Sequence, residues 1–338
     1  MRALCAAEFF AGIGLMRLGL EAANISTVWA NDIEPDKRDM YVANFSANEF
    51  LLADIRDIEG QSLPGVDVAT ASFPCTDLSL AGNRKGLGAT AAPRGEDGGS
   101  SMFWEFARVI DEMGERQPEV VLLENVLGFA TSRGGRDLLG AVRELNRLGY
   151  SCDPMVLDAR RFVPQSRPRM FIVGLRQTEP GDVLTQYSDR PTWVQQLAND
   201  FPDARVHARS LPPLPDGPTD ISGIIEQLPA KADEWWDSKR LDRFLSSLSP
   251  LQATRLDLLR RGKDITWRTA YRRTRNSVAV WEVRADGISG CLRTARGGSS
   301  RQAVVEVGRR QVRARWMTPR EYARLMGAPA YQIGRAHV

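Results

Sequence analysis

The sequence predicts an α/β protein built on a doubly wound parallel sheet. Short apolar runs alternate with stretches of helical periodicity through the first half of the chain. Two glycines, Gly12 and Gly14, stand in the turn after the first run, and acids or polar residues close the later ones. Alternation of this kind covers a sheet with helices on both faces and places ligands at the carboxyl ends of its strands.

The elements follow in order. Ala3 to Ala7 reads as a strand and Met16 to Ala22 as a helix. Thr27 to Ala30 is a second strand ending in Asn31-Asp32, and a third apolar stretch precedes Asp54-Ile55. Asp67 to Ser72, Val120 to Leu123 and Phe171 to Leu175 are further strands. Phe103 to Met113 and Leu138 to Leu148 carry helical spacing. Residues 177 to 250 are rich in proline and acids, as at a domain junction or long connection. Trp316 to Met326 resumes helical spacing, with Thr318 as N-cap, Pro319 at the first helical position and Glu321 in the first turn.

Composition narrows the function. The chain has 338 residues, 43% hydrophobic and 26% charged, enough for two cores. No apolar run reaches the roughly 18–20 residues of a membrane span, and the N-terminus lacks a signal-type cleavage site, so a cytoplasmic protein is expected. Four cysteines without disulfide or metal-ligand spacing fit a reducing compartment. With only two histidines, His207 and His337, neither near a cysteine, no metal site is expected. Net charge is +3, yet Arg255 to Arg315 holds 16 Lys/Arg against 5 Asp/Glu, which leaves the remainder acidic. Such a basic block suits a polyanion or a solvated arginine-rich surface.

Several segments carry chemistry. Phe9 to Gly14 lets the backbone approach a ligand at a helix N-terminus. The third glycine of a dinucleotide fingerprint is missing, because Arg17 stands there. Asp32 is placed to hold ribose hydroxyls, and Asp54 to accept an amino group from an adenine. Cys75, in Ser72-Phe73-Pro74-Cys75, sits at a strand's carboxyl end before the long loop Thr76 to Ser101, where a nucleophile and a lid belong. Taken alone, a single cysteine is more often a small buried hydrophobe. Glu124, in Glu124-Asn125-Val126, is expected in an apolar setting that raises its pKa, so that it carries a proton at neutral pH. Arg167 and Arg169, two apart on an extended chain, point the same way as a pair of donors.

In this order the segments resemble the cytosine-5 DNA methyltransferase family. Phe10-Ala11-Gly12-Ile13-Gly14 resembles its cofactor loop, Phe73-Pro74-Cys75 its nucleophile motif and Glu124-Asn125-Val126 its proton-handling motif. Gln165-Ser166-Arg167-Pro168-Arg169 fits its Gln-x-Arg-x-Arg. Arg293-Thr294 with Gly297-Gly298 resembles the threonine-bearing motif, and Pro319 to Gly327 the opening of the last one.

The resemblance implies a Rossmann-like S-adenosylmethionine-dependent methyltransferase sheet with a smaller target-recognition domain. Residues 1–176 would form the catalytic and cofactor-binding domain, 177–290 the target-recognition domain, and 291–333 a return to the catalytic domain. It implies that Cys75 adds to cytosine carbon 6, that Glu124 holds ring N3 and the exocyclic amine, and that Arg169, supported by Arg167, holds O2. The base must leave the double-stranded DNA helix to reach them. Phe10, Gly12, Gly14, Asp32, Ile33, Asp54, Ile55, Pro74 and Met102 would hold S-adenosylmethionine. Trp267 to Asn276 would contact phosphates and guanine edges. A monomer is implied, and a cognate restriction endonuclease is not required.

One departure stands out. The family's Gly-Asn-Ser/Ala-Val element and final helix do not follow Gly327-Ala328-Pro329. Gly334 to Val338 matches what a common sequencing adapter encodes, so 334–338 is expected to be an artefactual tail on a truncated domain, binding cofactor weakly. The alternatives are a transfer-RNA cytosine-5 methyltransferase, whose Cys-Phe-Thr signature is missing, and a truncated inactive DNA-binding relative. Arg17 and the Cys–Glu–Arg set disfavour an NAD-dependent oxidoreductase.

Overall fold

A computed structural model describes residues 2–75, 87, 101–176, 190–275, 278–292 and 301–333. The expected lid between Thr76 and Ser101 (save Leu87 and Ser101 itself), the Arg293 to Gly298 motif, Asn276 and the tail at 334–338 lie outside the described residues. The chain divides into two compact units, residues 1–157 with 168–212 and residues 158–167 with 213–338. These units are cut elsewhere than at the domain boundaries expected from sequence. Residues 190–212 belong to the first and 301–333 to the second.

The first unit runs β1 (Leu4–Phe9), α1 (Leu15–Ala22), β2 (Ile25–Asp32), α2 (Pro35–Val42), β3 (Phe50–Leu52), β4 (Val68–Ala71) and α3 (Met102–Glu112). It continues with β5 (Val120–Asn125), α4 (Gly128–Thr131), α5 (Arg136–Arg147), β6 (Tyr150–Asp158), β7 (Pro168–Arg176) and α6 (Thr192–Asp200). Its sheet has the strand order β3-β2-β1-β4-β5-β7-β6. Period-two alternation sends Ala7, Phe9, Ala69, Ala71, Val121 and Leu123 into one core with α3 and α5. Their neighbours Ala6 and Val68 face Leu20 of α1 on the other side. Helices thus cover both faces, as the alternation predicts. Each fully buried Phe or Leu in that core, such as Phe103, Phe106 and Leu123, contributes roughly 1.5–3 kcal/mol.

One strand corrects the all-parallel expectation. β7 runs antiparallel to β5, with Glu124 opposite Phe171 and Asn125 opposite Met170. The connection from Asp158 to Pro168 is the reason. A parallel return needs a crossover of about a dozen residues or more, and this link holds only a short 3-10 turn at Ala159–Arg161.

The second unit holds α7 (Ser238–Ser246), α8 (Pro250–Arg260), β8 (Thr266–Arg275), β9 (Val278–Val283), β10 (Gln302–Gly308), β11 (Gln311–Trp316) and α9 (Pro319–Leu325). Its antiparallel sheet is ordered β11-β10-β8-β9. β10 and β11 join through Arg309-Arg310, both at positive φ (50° and 64°), the backbone of a two-residue hairpin turn normally built from Asn-Gly. Their amides donate to the carbonyls of Gly262 and Arg260 at the end of α8 (2.8 Å each), which hold the strained turn. Thr318 caps α9, and Glu321 reaches back to the Thr318 amide, a reciprocal capping box.

Candidate active site and cofactor cradle

The carboxyl edge of the first sheet gathers the chemistry-bearing residues. β1 ends in Phe9, and Phe10 follows at φ +55°, a left-handed conformation rare for a bulky residue. The Ala11 amide donates to the Asn31 carbonyl (2.8 Å) and the Gly14 amide to Ala11 (2.9 Å), closing the turn onto β2. Gly14 sits at φ +81°, and a Cβ there would stand 2.5 Å from the Phe45 ring, so glycine is required twice over. Gly12 is different. At φ +57° a Cβ would meet nothing within 4 Å among the described residues, which leave open space above the turn.

Asp32 is 4% exposed and organises this turn. It accepts from the Gly12 amide (2.8 Å) and the Glu34 amide (3.0 Å), and pairs with Lys37 at 3.3 Å. Ile33 beside it is 56% exposed. Asp54 gives its carboxylate to Arg56, at 3.0 Å through Nε and 2.7 Å through Nη2, and caps the next turn through the Arg56 amide. Ile55 is a core residue and Met102 is buried at the start of α3, while Pro74 is exposed. Open space above Gly12, a buried acid beside it and an exposed apolar side chain at Ile33 fit a cofactor with polar and apolar parts.

Arg17, met in the sequence only as a break in a fingerprint, is a buried tether. It bonds the Tyr41 hydroxyl (2.9 Å), Glu21 (2.6 Å) and Glu49, with its guanidinium 4.5 Å from the Phe45 ring centre.

Glu8, which sequence reasoning left without a role, is 2% exposed, and among the described residues neither carboxyl oxygen has a hydrogen-bond partner. Burial, outweighing the nearby Arg17 amide and charge, pushes its pKa up to about 8. The folded chain therefore binds a proton that the unfolded chain, at the ordinary value of 4.5, has released. The associated stability is complete below that ordinary value and is lost as pH rises through the folded one. Wild type should thus lose roughly 3 kcal/mol between pH 5 and pH 8 through this group, and Glu8→Gln should remove that loss. Denaturant midpoints of both proteins across this range check it, and parallel curves would reject it.

The reacting end lies further along the edge. Ala71 of β4 pairs with Leu123 of β5 in parallel, so Cys75, which follows β4, and Glu124, near the end of β5, belong to neighbouring strand ends. Phe73 anchors the segment between, packed against Phe103 and Phe129 with ring centres 5.7 Å away. Asn125 donates from Nδ2 to the Phe73 carbonyl (3.1 Å) and accepts the Val126 amide (2.9 Å). It tethers the cysteine segment to the end of β5, a role the sequence motif did not spell out. Cys75 itself is half-buried.

Because β7 is reversed, its first residues share this edge. Arg169 Nε lies 3.0 Å from Glu124 Oε1, with both side chains half-buried. The apolar setting expected around Glu124 is therefore replaced by a cation. Arg167 makes its contacts in the second unit, donating to the Leu292 carbonyl (3.2 Å) and approaching Cys291 Sγ (3.6 Å). Among the described residues no cluster of His, Cys, Asp and Glu forms a metal site. No described helix is long and apolar enough to cross a membrane.

The other cysteines are placed differently. Cys152 is fully buried, and burial pushes its thiol pKa far up. Cys5 lies near the amino end of β1, 3.4 Å from Asp67 Oδ2.

Comparisons with known proteins agree with this architecture. The chain is 35% identical over 176 residues to the Type II methyltransferase M.Bsp6I of Bacillus sp. (strain RFL6), covering 51% of this chain and 52% of that protein. It is 32% identical over 170 residues to M.HhaI of Haemophilus parahaemolyticus, covering 50% and 48%. With M.BanI of Aneurinibacillus aneurinilyticus it is 29% identical over 293 residues, covering 84% and 59%. The chain thus spans about half the length of the first curated relatives it matches. A putative DNA modification methyltransferase encoded within an E. coli prophage shares the fold at TM-score 0.53 and 15% identity, over 97% of this chain and 89% of that one. S. pombe Dnmt2 methyltransferase does so at TM-score 0.50 and 21% identity, over 73% and 68%. The C-5 cytosine-specific DNA methylase profile matches residues 4–335, and the chain belongs to that family.

Proposed function

We propose that this chain methylates carbon 5 of a flipped cytosine in a specific double-stranded DNA sequence, as a monomer in the cytoplasm of a bacterial or phage-infected cell. The observation that carries the reading is the Arg169–Glu124 pair beside the tethered Cys75 segment. S-adenosylmethionine, when bound, supplies an electrophilic methyl group on a sulfonium. Gly12, Gly14 and Asp32 would hold its amino-acid and ribose parts, and Phe10 and Ile33 would pack on its adenine. Ile55, with its side chain in the core, would contribute through its backbone, and Asp54 would have to exchange its Arg56 contact for the adenine amine. Pro74 and Met102 would line the remaining sides.

The residues then divide the chemistry. The Cys75 thiolate adds to carbon 6 of the extruded base, which makes carbon 5 nucleophilic. Glu124 bonds N3 and the exocyclic amine, and Arg169 bonds O2, so charge developing on the ring meets fixed partners. Loss of the carbon 5 proton to a base and elimination break the sulfur–carbon bond and free Cys75. Arg167 completes the proposed set in a supporting role.

The test is methyl transfer from labelled S-adenosylmethionine to mixed-sequence duplex DNA and to transfer RNA, followed by mapping of modified cytosines. Modification at carbon 5 of cytosines in one short DNA sequence is expected. Modification confined to transfer RNA, or none, would overturn the reading.

A further inference from the structure

The second unit carries a cavity of about 430 Å³ that the proposed methyl transfer does not use. Its floor is aromatic. Trp236, Trp281 and Trp316 stand with ring centres 5.3–5.5 Å apart, and Phe244 of α7 closes the cluster at 5.6 Å from Trp236. Its walls are guanidinium groups. Arg240 lies 4.5 Å from the Trp236 ring centre and 5.0 Å from that of Trp316. Arg272, opposite Trp281 across β8 and β9, lies 6.0 Å from that ring. Arg243, one helical turn from Arg240, lines the same cavity, and Arg301 stands 4.9 Å from Trp316.

Like charges are crowded here, and Asp237 is the one acid that lines the cavity among the described residues. Burial and the charges of Arg243, Arg301 and Arg272 disfavour the cationic form of Arg240, with Asp237 opposing them. Asp237 already accepts the Arg240 amide as the cap of α7 (2.7 Å). Among the described residues the Arg240 guanidinium has no hydrogen-bond acceptor, nor has the buried Nε1–H of Trp236, a residue 9% exposed. The lining is thus rich in donors, and stacking on indole faces fixes the planar forks in advance. Such a lining calls for an anion that only accepts hydrogen bonds.

We infer that this arginine–tryptophan cavity seats a backbone phosphodiester of the DNA strand, fixing the protein on the duplex without reading sequence. The inference rests on the proposed action on DNA. Its chemistry is that of a phosphate contact, which contributes to affinity and salt dependence rather than to base choice. It also places part of the DNA footprint on Arg240 and Arg243, outside the basic block that the sequence singled out.

The test uses a duplex of A·T pairs only, so binding is read whether or not the chain methylates cytosine. Its affinity for the whole chain is measured by fluorescence anisotropy across a salt series, for wild type, Arg243→Gln and Arg240→Gln/Arg243→Gln. The slope of log affinity against log salt should become shallower by about 0.9 for each phosphate that is no longer neutralised. Affinity of the double variant at moderate salt should fall on the order of 10-fold or more. Arg243 is exposed, so the single variant keeps the fold and supplies the reading if the double one unfolds. Unchanged slope and affinity in folded variants would overturn the inference, as would tighter wild-type binding of an A·U RNA duplex of equal length. Binding of this duplex without methylation of cytosine DNA would instead count against the catalytic proposal alone.

Discussion

Replacing Cys75 by alanine is expected to abolish methyl transfer, with a loss on the order of 10⁴-fold or more, while DNA binding persists. The size follows from the chemistry. Carbon 5 of cytosine gains nucleophilic character only when a thiolate occupies carbon 6, so no weaker version of the route remains. The sharper readout is covalent. DNA carrying 5-fluorocytosine has no carbon 5 proton to lose, so wild type should be trapped as a complex stable to denaturing electrophoresis. The variant should not be trapped. An adduct that survives in Cys75→Ala would reassign the nucleophile. Cys152 is unsuited because its thiol is buried, and Cys5 lies toward the opposite end of its strand.

Glu321→Ala should destabilise the second unit by about 3–5 kcal/mol, the cost of breaking a buried ion pair from one side. Arg315 and Glu321 are both fully buried, joined at 2.7 Å through Nη1 and Oε2 and by a second contact between Nη2 and Oε1. The same carboxylate accepts the Thr318 amide (2.9 Å) and the Glu226 amide (2.8 Å). Alanine would leave a guanidinium without its counter-charge and two amides without acceptors. Replacing both partners, as in Arg315→Met with Glu321→Leu, should cost far less, because no uncompensated charge remains. Denaturant unfolding of the three proteins checks this. A loss below about 1 kcal/mol in Glu321→Ala would show that water reaches the pair.

These residues also show what a sequence reveals. Thr318, Pro319 and Glu321 spelled the start of α9, because capping is a local transaction between a side chain and the next turn. That Glu321 also neutralises Arg315 was not legible, since the partner comes from a strand with no marker of burial. The strands β1, β2, β4 and β5 announced themselves as apolar runs. β6 did not, because Ser151, Asp153 and Pro154 interrupt its sequence. Asp153 is satisfied there by Arg190, at 2.8 and 2.6 Å, a contact 37 residues away. In the second unit, β8 hid its strand character under arginines that read as contacts for a polyanion. At the candidate site, residue types in order pointed to Cys75, Glu124 and Arg169. The Asn125 tether and the burial of the Glu8 carboxyl depend on distances that no spacing encodes.

The reversal of β7 has a geometric consequence. Strand residues advance about 3.3 Å each, so the nine-residue strand laid the other way would carry Arg169 to the place opposite Val120, roughly 13 Å along the sheet from Glu124. Backward insertion of a single strand therefore does what a long excursion of the chain would otherwise have to do. It also implies that lengthening the 159–167 link enough to permit a crossover would endanger the pairing of these two side chains before it disturbed the core beneath them.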